Sequence, residues 1–234
     1  IDRQILSILA EEIQVDLGIS DSGIGFLYGT AFAVFYSVMG IPLGKLADVW
    51  TRKNLISIGL ATWSLFTLLS GTARSFLSLA FYRIGVGIGE SSASPSAYSL
   101  LSDYFSPKVR TTVLAIYSSG VYIGSGIGMF LGGAVVAYWN SNFPDPTLAP
   151  LGIKGWQAAF IAVGTPGLFL ALVVWRIKEP KRGLSDGIET HTHPSPFKEM
   201  FKEMIGLTPF SLLRTDKPIK NLLVNLFALL LIFL

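Results

Sequence analysis

Residues 77–104 read LSLAFYRIGVGIGESSASPSAYSLLSDY, an apolar stretch long enough to cross a bilayer that carries two opposite charges inside it, Arg83 and Glu90. A spanning helix needs about 20 predominantly apolar residues, and an ionisable group at membrane depth marks a substrate or ion pathway by default. Arg83 and Glu90 are seven positions apart and so share one face of a helix. At a rise of ~1.5 Å per residue they lie roughly 10 Å and roughly 20 Å below one interface of a core about 30 Å thick, beyond easy snorkelling to water. A buried ion pair that merely locks two helices together is the competing explanation. Helix packing accounts for Gly85 and Gly89 at small-xxx-small spacing, but not for a lone acid near the midplane.

The composition around that stretch agrees. Of 234 residues, 51% are apolar and 14% charged, with a mean hydropathy of +0.56. That balance suits several membrane spans and not a soluble domain of this length. There is no cysteine, which excludes disulfides, thiol nucleophiles and thiolate metal sites. The net charge of +3 and pI near 9.1 do not argue for nucleic acid, because the basic residues are not gathered into a patch interleaved with exposed aromatics. The sequence opens at Ile1 inside one apolar helix and stops at Leu234 inside another, which reads as a fragment of a longer chain.

Working outward, residues 1–10 read as the second half of a first span with Asp2 and Arg3 at membrane depth, leaving the membrane through Glu11, Glu12 and Asp16. Residues 24–43 form a second span, with Gly25, Gly29 and Ala33 at close-packing spacing, and 54–72 a third. The fourth, 77–101, holds Pro95 as the expected kink. Residues 112–139 form a fifth span with Gly120, Gly124, Gly128 and Gly132 in one row, and 156–177 a sixth. Tyr138, Trp139 and Trp156 bracket the loop between them as an expected interfacial belt. In the linker 178–218, Phe197, Met200, Phe201, Met204 and Ile205 fall opposite Lys198, Glu199, Lys202 and Glu203, predicting an amphipathic helix on the membrane surface. Residues from 219 on begin a seventh span.

Cytoplasmic loops carry the excess of Lys and Arg. Of the 18 basic residues, fourteen fall in the loops on one side, only Arg74 and Lys154 on the other, and Arg3 and Arg83 in the membrane. Both short basic loops and the linker are therefore expected in the cytoplasm, with the first span running outward.

Three patterns have plain explanations. Gly85, Gly87 and Gly89 before Glu90 lie inside an apolar span and not between a strand and a helix, so they serve packing and not a dinucleotide. His191 and His193 fall in a turn-rich, solvated linker without any Cys partner, and no metal site is expected. The serines of SSASPSAYS have no His or Lys base near them in sequence and read as packing or cavity-lining groups, so neither an enzyme nor a cofactor is implied.

The loop GKLADVWTRK, residues 44–53, is the specific signal. Its Gly44, Asp48, Arg52 and Lys53 between spans two and three resemble the signature loop of the major facilitator superfamily, G-x3-D-[RK]-x-G-R-[RK]. Val49 stands where that pattern has a basic residue, and Thr51 where it has Gly. A positive-inside loop alone explains Arg52 and Lys53, but not Gly44 with Asp48. Together with Asp2 and Arg3, RIGVGIGESSASPS from Arg83 and SDYFSPKVRTTVLAIY, the resemblance is to the spinster-like branch, close to its bacterial homologues. It implies an all-α membrane protein whose residues 1–177 are the six-helix amino-terminal bundle of a twelve-helix fold. Residues 178–218 would be the cytoplasmic linker and 219–234 the start of the second bundle. The resemblance further implies alternating access around a central cavity in the bacterial inner membrane, a monomer, and a proton-coupled carrier in a branch whose eukaryotic members export lysolipids such as sphingosine 1-phosphate. In span five, Ser125 and Ile127 flank Gly126 where the superfamily's antiporter motif carries Gly-Pro, so antiport does not follow.

The function expected is secondary active transport of an amphiphilic, anionic organic solute or lysolipid. Arg3 and Arg83 would attract the head group and Asp2 and Glu90 carry the proton. Gly44, Asp48, Arg52 and Lys53 would form a cytoplasmic gate, Asp48 accepting from the free N–H groups at the start of span three and pairing with a neighbouring Arg. The partners are substrate, protons and the bilayer, with no nucleic acid. A non-transporting receptor or scaffold on the same fold would not need a midplane acid, a channel would favour rings of like charge, and a multidrug-type exporter would differ in its solutes.

Overall fold

The structure, a computed structural model, describes residues 2–187 and 194–206 together with Ile219 and Leu223; His191, His193, residues 207–218 and nearly all of the expected seventh span lie outside the described residues. Among those described there are helices and no strand. Helix α1 (Ile5–Leu17) continues past Glu11 and Glu12, buries Ile5, Leu6, Leu9 and Ile13 along one stripe, and stops at Gly18, whose φ of 62° is left-handed. The next rod joins α2 (Asp21–Gly25), a π-helical turn (Phe26–Thr30) and α3 (Ala31–Val49) into 29 residues, and the Ser20 hydroxyl caps its start by accepting from the Gly23 N–H at 3.3 Å. Helix α4 (Arg52–Ser70) returns, and Ser75 and Ser78 cap α5 (Phe76–Glu90) reciprocally.

The fourth span is broken earlier than its proline. Pro95 has no N–H for the carbonyl four residues back, at Ser91, and its ring crowds that carbonyl. The chain accordingly leaves the helix at Ser91 and Ser92, before α6 (Ala93–Tyr104) resumes. The two hydroxyls donate to the freed turn, Ser91 to the Ile88 carbonyl at 2.7 Å and Ser92 to the Gly89 carbonyl at 2.9 Å. Helix α7 (Pro107–Asn142) opens with a proline at its first position, α8 (Gly155–Arg176) follows, and α9 (Pro196–Gly206) lies beyond it in sequence. Among the described residues, three rods are continuous and apolar enough to cross a bilayer: Asp21–Val49, Pro107–Asn142 and Gly155–Arg176. Helix α4 is more polar, burying Ser57, Ser64, Thr67 and Ser70 against its neighbours, and the fourth span is divided between α5 and α6.

Packing centres on α4, which lies against α8 on one side and α5 on another; α3 covers α5, and α1 and α8 flank α7. Lipid is as apolar as leucine, so such helices associate through close backbone approach and hydrogen bonds. At Gly89 a Cβ would lie 2.7 Å from the Trp63 nitrogen and 2.9 Å from the Gly59 oxygen, and the Ser57 hydroxyl donates to the Ala171 carbonyl at 2.7 Å. The glycine row of α7 packs only at one end: Gly128 and Gly132 are buried, Gly132 against Ile5 and Ile8, whereas Gly120, Gly25 and Gly29 face open space. Trp156 is a core anchor, packed inside the bundle and not on its outer surface. It is 1% exposed and its indole N–H donates to Asp16 at 2.8 Å, where Lys154 also pairs.

Candidate functional site

Arg83, fully buried on α5, reaches the segment before α1, its Nη1 donating to the Asp2 carbonyl at 3.2 Å. Its Nε and Nη2 have no partner among the described residues. The Asp2 carboxylate accepts from the Trp63 indole N–H at 3.0 Å through Oδ2, while Oδ1 is buried and, like Oε2 of Glu90, has no partner among the described residues. Arg3 is exposed, with its Cζ 4.6 Å from the centre of the Phe32 ring; Arg83 Cζ lies 5.8 Å from the same ring. Phe32 is buried and stacks on Tyr36, centroids 5.3 Å apart at 22°. Gly87 admits it, since a Cβ there would come within 2.7 Å of the Phe32 carbonyl oxygen. Nearby, the Tyr28 hydroxyl donates to Gln4 at 2.8 Å.

The structure thus gathers Asp2, Arg3, Arg83 and Glu90 within electrostatic reach of one another. Yet none of the four makes an ion pair within 4.0 Å among the described residues. Buried polar atoms without partners are costly, and where they persist they answer to water, a proton or a ligand. Two bases and two acids held apart in this way can exchange protons and receive an anion.

A second centre lies at the end of the bundle away from Asp16 and Lys154. Arg52, at the first position of α4, is fully buried. It donates to the Ser99 carbonyl and hydroxyl, each at 3.0 Å, to the Pro180 carbonyl at 3.0 Å and to Glu179 Oε1 at 2.8 Å, and it pairs with Asp103. The N–H groups of Arg52 and Lys53 donate to the Glu179 carboxylate at 3.3 and 2.9 Å. The anion at the start of α4 is therefore Glu179, from just beyond α8; Asp48 is exposed one turn away, and Gly44 has open space beside it. Arg182 donates to the Ala47 and Trp50 carbonyls at the end of α3, and burial together with the neighbouring Arg52 pulls its guanidinium below the ordinary value. Helix α9 docks here through Phe197 on Trp50, ring centres 5.2 Å apart, and through Met200 on Leu46, Ala47 and Leu55.

Sequence reasoning did not single out Phe32, Trp63, Asp103, Glu179 or Arg182. The charged run KEPKR directly after span six was the available signal for two of them.

Residues 1–234 match the Major Facilitator Superfamily over their whole length. The chain belongs to that superfamily. It is 32% identical over 174 residues to an MFS-type efflux pump of Mycolicibacterium smegmatis, covering 74% of this chain and 37% of the relative. It is 31% identical over 192 residues to the sphingosine-1-phosphate transporter SPNS2 of Danio rerio, covering 79% and 34%. A solved bacterial homologue of the human lysosomal transporter spinster, inward-facing and occupied, matches with a TM-score of 0.72 and 36% identity over 80% of this chain and 43% of that one. The chain thus spans roughly a third of the curated relatives' length. Members of the superfamily are transporters and not enzymes, and this chain is an integral, multi-pass membrane protein of spinster-like kind.

Proposed function

We propose that this chain forms the amino-terminal part of a secondary active transporter that moves an anionic amphiphile, such as a lysolipid or sphingolipid, by alternating access under proton drive. The observation that carries the reading is Arg83: a fully buried guanidinium with two nitrogens unpartnered, beside carboxylates that also keep oxygens unpartnered. Arg3 and Arg83 receive the anionic head, and Asp2 and Glu90 carry the proton. An acid that loses its guanidinium neighbour as the cavity changes access takes up a proton, and one that regains it releases the proton. Anionic substrate competing for the arginines supplies the coupling, because a ligand shifts an equilibrium only through differential interaction with its states. Similarity to a sphingosine-1-phosphate transporter supports the solute class.

In this reading residues 1–177 are one bundle of a twelve-helix monomer, 178–218 the cytoplasmic linker with α9 on it, and 219–234 the start of the second bundle. Gly44, Asp48, Arg52 and Lys53 belong to the cytoplasmic gate, with Arg52 as its hub. The test is uptake or efflux of labelled sphingosine 1-phosphate by the full-length carrier in proteoliposomes, with and without a pH gradient. Gradient-dependent movement is expected, and movement indifferent to the gradient removes proton coupling. Export of other solutes is the second reading, favoured by 32% identity to an efflux pump.

A further inference from the structure

The guanidinium of Arg83 is fully buried beside the Asp2 and Glu90 carboxylates, where little water screens their attraction, and Arg3 reaches the same cluster from an exposed position. Among the described residues they nonetheless form no ion pair, and both guanidiniums lie over the same ring, Arg3 at 4.6 Å and Arg83 at 5.8 Å from the centre of Phe32. The face of an aromatic ring attracts a cation within about 6 Å, most strongly where the site is desolvated. Phe32 is well placed to act as that fixed point. It is buried, stacked on Tyr36, and seated with its carbonyl against Gly87, where no side chain would fit. A leucine in its place would fill similar space but offer the arginines no quadrupole.

We infer that Phe32 is a positioning residue that holds Arg3 and Arg83 off Asp2 and Glu90, keeping the acids open to protons and the bases open to an anion. The inference deepens the proposed function and rests on its reading of this cluster as the working site, but its measurement needs no transport. Trp63 donates to Asp2 Oδ2 at 3.0 Å, so its emission reads the charge on that carboxylate. The groups facing the cluster are Arg3 and Asp2 on the segment before α1, Arg83 and Glu90 on α5, Tyr28 on the π-helical turn, Tyr36 on α3 and Tyr117 on α7.

The experiment is a pH titration of tryptophan emission in the full-length protein in nanodiscs, taken as the difference between each variant and the same variant carrying Trp63→Phe. With Phe32→Leu the arginines fall onto the carboxylates, and the midpoint moves to lower pH by about one unit, a tenfold change in proton affinity. Phe32→Met, of similar volume and without a ring, moves it likewise and serves if the leucine variant does not fold. Phe32→Tyr and Phe32→Trp keep the face and the wild-type midpoint. A midpoint unmoved in the ringless variants, or moved as far in the aromatic ones, overturns the inference. Absent transport with a shifted midpoint would remove the proposed function alone.

Discussion

Arg52 Nε donates to Glu179 Oε1 at 2.8 Å across 127 positions of sequence, tying the first turn of α4 to the residue that follows α8 by a short step. The same carboxylate accepts from two backbone N–H groups at that helix start, where the dipole favours an anion. Asp103, at the end of α6, takes another arm of Arg52, so one guanidinium straps the third, fourth and sixth spans together. Removing one partner of a buried pair costs about 3–5 kcal/mol, and Arg52→Ala is expected near the low end because Glu179 is 24% exposed. Lys53→Ala should cost well under about 1 kcal/mol, since among the described residues its ammonium meets the Trp175 carbonyl near the surface and forms no ion pair. Thermal unfolding in detergent ranks the two, and equal losses would show that Arg52 is not the hub.

Close approach gives a second contrast. A Cβ added at Gly89 would lie under 3.0 Å from backbone atoms of Trp63 and Gly59, and backbone cannot swing away as a side chain can. Gly89→Val should therefore prevent α4 and α5 from packing and abolish a monodisperse folded peak. Gly120→Ala meets nothing within 4 Å and should leave the melting temperature unchanged or raise it, since alanine favours a helix interior by up to about 1 kcal/mol. A destabilised Gly120→Ala protein would place an unseen neighbour on that face of α7.

What could be read from the sequence was local. The apolar helices, a disruption at Pro95 and the α9 stripe of Phe197, Met200 and Phe201 follow from periodicity, hydrophobic run length or a missing N–H; that the break falls upstream of the proline, at Ser91 and Ser92, was not read. Arg83 and Glu90 stood out because a charge in an apolar run is anomalous wherever the chain folds. The strap on Arg52 was not legible, because its partners Asp103, Glu179 and Pro180 lie 51 to 128 positions away and each sits in an ordinary charged or turn-rich segment. Asp48 looked like the anion at the start of α4 because it is near in sequence; the extended residues Trp50 and Thr51 instead leave that helix end to Glu179. Phe32 carried no signal at all, being one of 16 phenylalanines in an apolar chain.

Topology follows from the basic asymmetry and is checked with single cysteines, which are unique labels in a chain that has none. Lys181 and Ser141 are both exposed, and neither side chain is needed for the Arg52 strap. In whole cells an impermeant thiol reagent should label Ser141→Cys and miss Lys181→Cys until the membrane is opened. The reverse pattern would invert the bundle.

The central cluster is the most exposed of these expectations. Asp2→Asn keeps an acceptor for the Trp63 indole, and Glu90→Gln keeps the volume of a side chain that makes no hydrogen bond through its buried oxygen, so both proteins should fold with near wild-type melting temperatures. Each should nevertheless lose or uncouple pH-driven transport, because an amide cannot exchange the proton that the carboxyl carries. Arg83→Ala differs: it removes the donor to the Asp2 carbonyl and a guanidinium with two unpartnered nitrogens, so substrate binding should weaken by at least about tenfold, the loss of roughly one charge-assisted hydrogen bond. Binding is read by thermal stabilisation with added sphingosine 1-phosphate, and coupling by uptake against imposed pH gradients. Wild-type rates and an unchanged pH dependence in both acid variants would make the four charges structural, since a proton carrier cannot be replaced by an isostere without a proton to give.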